Sequence, residues 1–528
     1  MLIDGATLTG KRRIEADVCI VGSGPAGITL ANELKAKFSS IVVLEGGGES
    51  YDEKSQSLYA AEGTHDVFPD PIVSRLRFLG GTSNHWQNST MPFTPIDFDR
   101  RDWVPGSGWP ISFADVNKYY DRAGEYCGVD ADGYSADAWM SRTSLASPMQ
   151  GSKRVVAKAA KSARPPTRFF HKYGPLLSES NRVSVYKNSN VVDLLFDKQT
   201  KKVREIFFTA DGKTLHGVSA GIFVLCMGGI ENARMLLSFN EKYENALGNR
   251  GDNVGRYFME HPTVKPATVF ASASGFGRDL SVTPGNKNVG LVHEYSEDVL
   301  RQHRITNGKI SFFNASNYDL SDGVSSFHIL KDRLIKGTLP DEAFLHLSNL
   351  ILDFDMVAEA ISRKSFDQRV FSHADDLGGA GVHIMMEQTP SRHNRIRLGK
   401  SKDRFGIKKL AVDWRLSKSD IDMMWSGLLV LGQEIGALSL GRLRLLKEQS
   451  QRLFTDQMGF GLHHMGTTRM AVDEAAGVVD RDQRVFGTDN LYVAGSSVFV
   501  TGSHVAPTLT IVALSLRLAE HLQSRGAK

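Results

Sequence analysis

His463 and His464, followed by Met465 and Gly466, put two imidazoles side by side. Imidazole is the side chain whose ordinary pKa lies closest to neutrality, so a positioned histidine can take a proton from a hydroxyl and return it. In an extended segment adjacent side chains point to opposite faces, so one of the two would face a site and the other would pack behind it. Spacing does not say which. His504, in Thr501-Gly502-Ser503-His504-Val505-Ala506-Pro507, is readable either as a further proton-handling group or as a loop histidine bonded to backbone. The sixteen histidines show no zinc-ligand spacing such as HExxH. A GxSxG nucleophile elbow is also absent, which makes hydrolase a poor reading.

A second chemistry is written in glycine. The apolar run at 16–21 (ADVCIV) leads into Gly22-Ser23-Gly24-Pro25-Ala26-Gly27, a helical stretch (ITLANELKAK), a second apolar run (IVVL) and Glu45. That order of strand, turn, helix, strand and acid is the dinucleotide-binding fingerprint. Gly22 permits the tight turn, Gly24 lets backbone approach a pyrophosphate, and Gly27 allows close helix packing. The helix N-terminus faces the phosphates with free N–H groups, and Glu45 is spaced to accept from a ribose. The motif alone does not choose between NAD and FAD.

Other segments have to build the rest of such a site. Residues 77–86 (RFLGGTSNHW) place Gly81, Thr82, Ser83 and His85 after paired glycines. Residues 221–229 (GIFVLCMGG) read as a buried strand, followed by a helix at IENARMLLSFN. Residues 490–496 (NLYVAGS) form a strand ending at Gly495 and Ser496. An amphipathic helix then runs from Pro507-Thr508 to Leu522, with Pro just inside its start. Glycines after strands fit ligands that sit beyond strand ends in open α/β sheets; ordinary turns are the plain alternative.

Taken together, ADVCIVGSGPAG, GGTSNHW, GGIENARMLL, NVGRYFMEHP (253–262), EQTPSRHNRIRL (387–398) and HHMGTTRM (463–470) resemble the glucose-methanol-choline (GMC) oxidoreductases over nearly the whole chain. Within the family the sequence is most similar to the branch of pyranose oxidases and sugar or glycoside dehydrogenases. The resemblance implies an α/β fold: a doubly wound, Rossmann-type FAD domain assembled from residues 1–95, 181–262 and 455–528. It also implies an α+β substrate domain with an antiparallel sheet, from 96–180 and 263–454. It implies FAD as cofactor, a sugar, glycoside or polyol alcohol as substrate, and O2 or another electron acceptor. The family's HxxG pattern places the base at His463, leaving His464 to pack behind it. Gly22, Gly24, Gly27, Glu45, Gly81, Thr82, Ser83, Val191, Gly495, Ser496, Pro507 and Thr508 would hold FAD, with Val191 against the adenine. His85 coincides with a histidine that some members bond covalently to the flavin and others do not. Members usually carry His or Asn just before the Pro of the last helix. Here that residue is Ala506, which cannot relay a proton, and His504 is the candidate replacement. A hydroxynitrile-type lyase on the same fold and a catalytically decayed flavin-binding protein are the alternatives.

At 528 residues the chain is long enough for two domains. Its 41% hydrophobic and 23% charged residues exclude disorder, while fifty glycines suit close backbone approach to a ligand. With 63 basic against 59 acidic residues, nothing points to nucleic acid or a membrane surface. Three cysteines without a CxxC pair, and no leading apolar stretch, give a cytoplasmic expectation. Residues 181–220 read as two hairpins turning at 197–201 and 210–213, and Ser112 as a helix cap. Residues 338–364 read as one long helix with a broad apolar face, assigned to the core, and the loop at 271–286 as a possible lid.

Overall fold

The computed structural model describes all residues except 64–67, 272–275, 277–279, 315–321, 336, 341, 355–356, 359–378, 448–449 and 526–528. Strand Arg13–Val21 begins half-exposed, with alternating burial, and ends in the fully buried Val18-Cys19-Ile20-Val21. Fully buried apolar runs belong to strands covered on both faces. Accordingly it is central: Ile41–Leu44 pairs on one side (Val18 beside Ile41, Val21 beside Leu44) and His216–Leu225 on the other, both parallel. Val183–Lys187 and then Leu2–Asp4 extend the parallel set outward, and Leu491–Val493 joins beside His216–Leu225. The expected hairpins are present, since Asn190–Asp197, Lys202–Thr209 and His216–Leu225 pair antiparallel in succession. Helices Pro25–Leu34, Gly228–Tyr243 and Thr508–Arg525 contribute buried residues to the core around this sheet.

A second, antiparallel sheet is built from the middle of the chain. Its order is Ser281–Val282, Lys287–Tyr295, Gly308–Asn314, Gly379–Met386, Pro262–Ala271 and Gly441–Leu445. Val155–Ala163 pairs with Lys287–Tyr295, and Gly459–Phe460 with Pro262–Ala271. Helix Lys418–Ala437, opened by a Ser417–Asp420 capping box, gives this sheet its own core through Met423, Leu428, Leu431 and Ile435. A mixed α/β fold with one largely parallel and one antiparallel sheet is thus the fold class expected from sequence. Ser112 caps Phe113–Asn117 as read, with Asp115 closing a capping box.

One expectation is corrected. Over 338–364 the described helix is Ala343–Leu352, and it does not enter the core. Phe344, Ile351 and Leu352 are 86%, 77% and 77% exposed, and Leu345 and Leu347 are also exposed. Its buried contact is polar: His346 Nδ1 lies 3.1 Å from Ser326 Oγ, and Asn349 donates to the same oxygen. A helix apolar on most of its circumference carries no signal for which side turns inward. Residues 341, 355–356 and 359–364 of that reading, and 272–275 and 277–279 of the possible lid at 271–286, lie outside the described residues. Among the described residues no helix is long and apolar enough to cross a membrane.

Candidate functional site

The two sheets share a cavity of about 650 Å³. Its wall takes in Gly22, Gly24, Glu45, Gly81, Thr82, Ser83, His85, Val191, His463, Gly495, Ser496, Pro507 and Thr508, brought together from five stretches of sequence. Two expected residues are not on that wall. Gly27 lies behind it: a Cβ there would stand 2.0 Å from the Gly22 carbonyl, so its hydrogen is what lets the helix approach the turn. His504 is turned away and fully buried, with Nε2 2.9 Å from the Glu294 carboxylate. It ties the loop before the last helix to strand Lys287–Tyr295, so the expected substitute for a second catalytic group is absent from the wall, and Ala506 lines it instead. Burial alone would lower the His504 pKa; the bond to and charge of Glu294, together with the charges of Asp97 and Glu387, outweigh it and raise the value.

The glycines divide by what surrounds them. Gly22 has φ of +105°, and its Cβ would meet the Cys226 carbonyl at 2.5 Å, so both dihedral and packing demand glycine. At Gly24 a Cβ would find nothing within 4 Å, although the residue opens helix Pro25–Leu34 as its N-cap. Nothing in the protein's own packing asks for glycine there, and the open space is on the cavity side. Glu45 braces the turn: its carboxylate accepts from Ser23 N–H (3.1 Å), Ser23 Oγ (2.7 Å) and Gly47 N–H (2.8 Å). Arg77 donates to Asn190 Oδ1 at 2.6 Å. Arg75, Glu231, Arg234 and Asp403 form a buried ion-pair chain along the same wall.

At His463 the hydrogen bonds fix a tautomer. His261 Nε2 lies 3.2 Å from the Gly502 carbonyl and 3.0 Å from the Ser503 carbonyl. Both partners are pure acceptors, so Nε2 carries the proton. Burial pushes the His261 pKa down to about 4, so its Nδ1 is a lone pair. His463 Nδ1 sits 2.8 Å from that lone pair and must donate to it, which leaves His463 Nε2 unprotonated. Burial, and then the charges of His261, Lys309 and His464, hold the His463 pKa well below the usual imidazole value. A Cβ on Gly461 would stand 2.7 Å from His463 Nδ1, so that glycine makes room for the ring. His464 packs its ring near Phe68 and Phe258, 6.1 and 6.0 Å between centroids, and its carbonyl accepts from Ser496 Oγ at 2.6 Å. Glu260 Oε2 accepts from Leu462 N–H at 2.9 Å, and burial pushes the Glu260 pKa up to about 8.

Residues 390–515 match the family model for GMC oxidoreductases. Fructose dehydrogenase large subunit from Gluconobacter japonicus is 22% identical over 96% of this chain and 97% of its own length. C-glycoside 3-oxidase from Microbacterium trichothecenolyticum is 34% identical over 23% of this chain and 22% of its own. Among solved structures, the FAD-dependent oxidoreductase from Chaetomium thermophilum superposes with TM-score 0.56 at 16% identity, covering 97% of this chain and 99% of that one. Residues 390–515 are thus a GMC oxidoreductase C-terminal domain.

Enzymes of this family act on CH–OH groups, and the cofactor is FAD. The cavity wall fits that molecule on two observations: the bare space at Gly24 beside a helix N-terminus, which suits a pyrophosphate, and the open position at Gly228, where φ is +84° and a Cβ would also meet nothing. His85 is on the wall with its side chain exposed; partial burial and then the Arg168 charge lower its pKa. Sequence reasoning missed His261, although it lies in the NVGRYFMEHP segment that carried the family resemblance. No local spacing ties it to His463, and the glycine at 461 was the nearest signal. It also missed Lys309 and His383, which come from two strands of the antiparallel sheet.

Proposed function

We propose that this enzyme oxidises an alcohol group of a sugar, glycoside or similar polyol to the carbonyl, with His463 as the base. The observation that carries the reading is the lone pair left on His463 Nε2 by the His261 relay, on the wall of a cavity that also bears the dinucleotide fingerprint. The substrate hydroxyl gives its proton to His463 Nε2, while the proton on Nδ1 stays in its bond to His261. FAD, when bound, supplies a two-electron acceptor for the carbinol hydride. Gly22, Gly24, Glu45, Gly81, Thr82, Ser83, Val191, Gly495 and Ser496 would hold it. Pro507 and Thr508 aim the start of helix Thr508–Arg525 into the cavity, where unspent N–H groups and the helix dipole favour negative charge. The Pro507 carbonyl accepts from Ile511 N–H at 2.9 Å, so Pro507 caps that helix. The full-length likeness to a fructose dehydrogenase and the partial one to a C-glycoside 3-oxidase support a sugar-like substrate.

The test is a panel of sugars, glycosides and polyols with a dye acceptor, run with and without oxygen on the yellow holoenzyme. Anaerobic bleaching of the flavin by at least one alcohol is expected. A persistent oxidised band across the panel, or colourless protein that refuses reconstitution, overturns the reading. The same preparation tests His85: yellow colour in the acid-precipitated pellet supports a covalent bond there, and colour left wholly in the supernatant excludes it.

A further inference from the structure

Three acidic side chains on the cavity wall are already committed: Glu45 to Ser23 and Gly47, Glu231 to Arg75 and Arg234, Asp403 to Arg234. Arg77 lies against Gly46 and Asn190, at the fingerprint end. Lys309 is different. It projects from strand Gly308–Asn314 into the same cavity and has no carboxylate within ion-pair distance among the described residues. Its strand register puts Lys309 beside Met385 and Ser311 beside His383 on the neighbouring strand, so Lys309, Met385 and His383 share one face of the sheet, and all three line the cavity. Lys265, on the next strand, adds its charge to the Lys309 charge acting on His383. Lys309 in turn acts on His463. Lys309 is partly buried; holding a cation there without a counter-ion costs free energy, and burial lowers its pKa. Such a group persists where a ligand supplies the missing charge. The charge wanted near the last helix has its own donors in the free N–H groups from Thr508 onward, on a different wall segment.

We propose that Lys309, with His383 beside it, is a carboxylate-binding subsite, and that the preferred substrates are sugar-like alcohols bearing an acid group, such as uronic acids, aldonic acids or their glycosides. The proposal rests on the alcohol-oxidation reading for turnover, but the subsite itself can be read by binding. Lys309 Nζ would donate to the carboxylate, fixing the substrate while His463 Nε2 meets the hydroxyl.

The experiment uses oxygen-free holoenzyme titrated with D-glucuronate against D-glucose, and glycerate against glycerol, while the flavin absorption is followed in wild type, Lys309→Met and Lys309→Arg. In wild type at least one acid is expected to perturb or bleach the flavin at a concentration tenfold or more below its neutral counterpart. K309M should close that gap by at least tenfold, and K309R should keep most of it. Equal midpoints in both pairs, silence from both acids, or a K309M loss of the same size for acid and neutral partners overturns the subsite. A Lys309-dependent perturbation by an acid with no bleaching by any alcohol keeps the subsite and sinks the alcohol-oxidation reading. Bleaching by neutral alcohols with no acid preference does the reverse.

Discussion

His463 is neutral over the working pH range, and its single ring proton sits on Nδ1 because His261 offers only a lone pair there. His261 is therefore a positioning residue. Its removal leaves the His463 proton free to move to Nε2, where it blocks the base. Replacing His463 with Ala should lower kcat by on the order of 10² to 10⁴-fold with the flavin retained. For His261 the comparison is between Leu, which cannot accept from His463 Nδ1, and Asn, whose amide oxygen can. H261L should lose on the order of 10²-fold in kcat, and H261N should recover a measurable part of it; equal losses would mean a merely structural role. The pH profile follows from the sign of the shift. A base works when unprotonated, and the His463 pKa is below 6.5, so kcat/KM should be level from about pH 6.5 upward and fall only on the acid side. An acid limb centred at or above pH 6.5 contradicts the assignment.

At the scale of elements, the glycine turn and the last loop show what local sequence can and cannot tell. GxGxxG announced its strand, turn and helix, and the structure separates its glycines by function. Gly24→Ala intrudes on the open side of the turn, whereas Gly27→Ala drives a methyl to 2.0 Å from the Gly22 carbonyl. G24A should fold with near-normal melting temperature and hold FAD more weakly. G27A should destabilise the protein by roughly 1–3 kcal/mol or more, as overpacking does, whatever the FAD concentration. His504 was visible as a loop histidine but its partner was not, because Glu294 lies 210 residues away on another sheet. Its pKa is raised in the folded protein, so the stability it contributes is complete below about pH 6.5, the unfolded value, and is lost as pH rises through the folded pKa. The melting temperature of wild type over His504→Gln should thus be greatest in mildly acid buffer and shrink on the alkaline side. A difference independent of pH would show that packing, not the charge pair with Glu294, is what His504 contributes. Helix Ala343–Leu352 failed for a related reason: its composition is that of a core helix, yet the contact it makes is the polar pair of His346 and Asn349 with Ser326.

Across the whole molecule, the cavity wall is assembled from segments near residues 22–46, 75–89, 189–191, 226–235, 309, 383–385, 403–407, 460–464 and 495–511. Few of these contact one another in sequence, so the motifs identified the fingerprint end, while the antiparallel-sheet end, with Lys309 and His383, became visible only through strand register. A ligand that bridges such a wall binds the folded chain and not the unfolded one, and stabilises it by about 2.7 kcal/mol at a free concentration 100 times its dissociation constant. Removing FAD should therefore lower the melting temperature, provided His85 carries no covalent bond, and adding it back should restore the loss. The two ends can be separated by fragments. ADP needs only the Gly22–Gly24 turn, the helix start behind it and Glu45, which brace one another without help from the second sheet. ADP should consequently restore part of the lost stability to the stripped protein, and that part should vanish in G24A. Riboflavin, which lacks the pyrophosphate and adenosine, should restore less at equal concentration. If riboflavin proves the better stabiliser, the turn is not the principal anchor and the division of the wall drawn from the glycines is wrong.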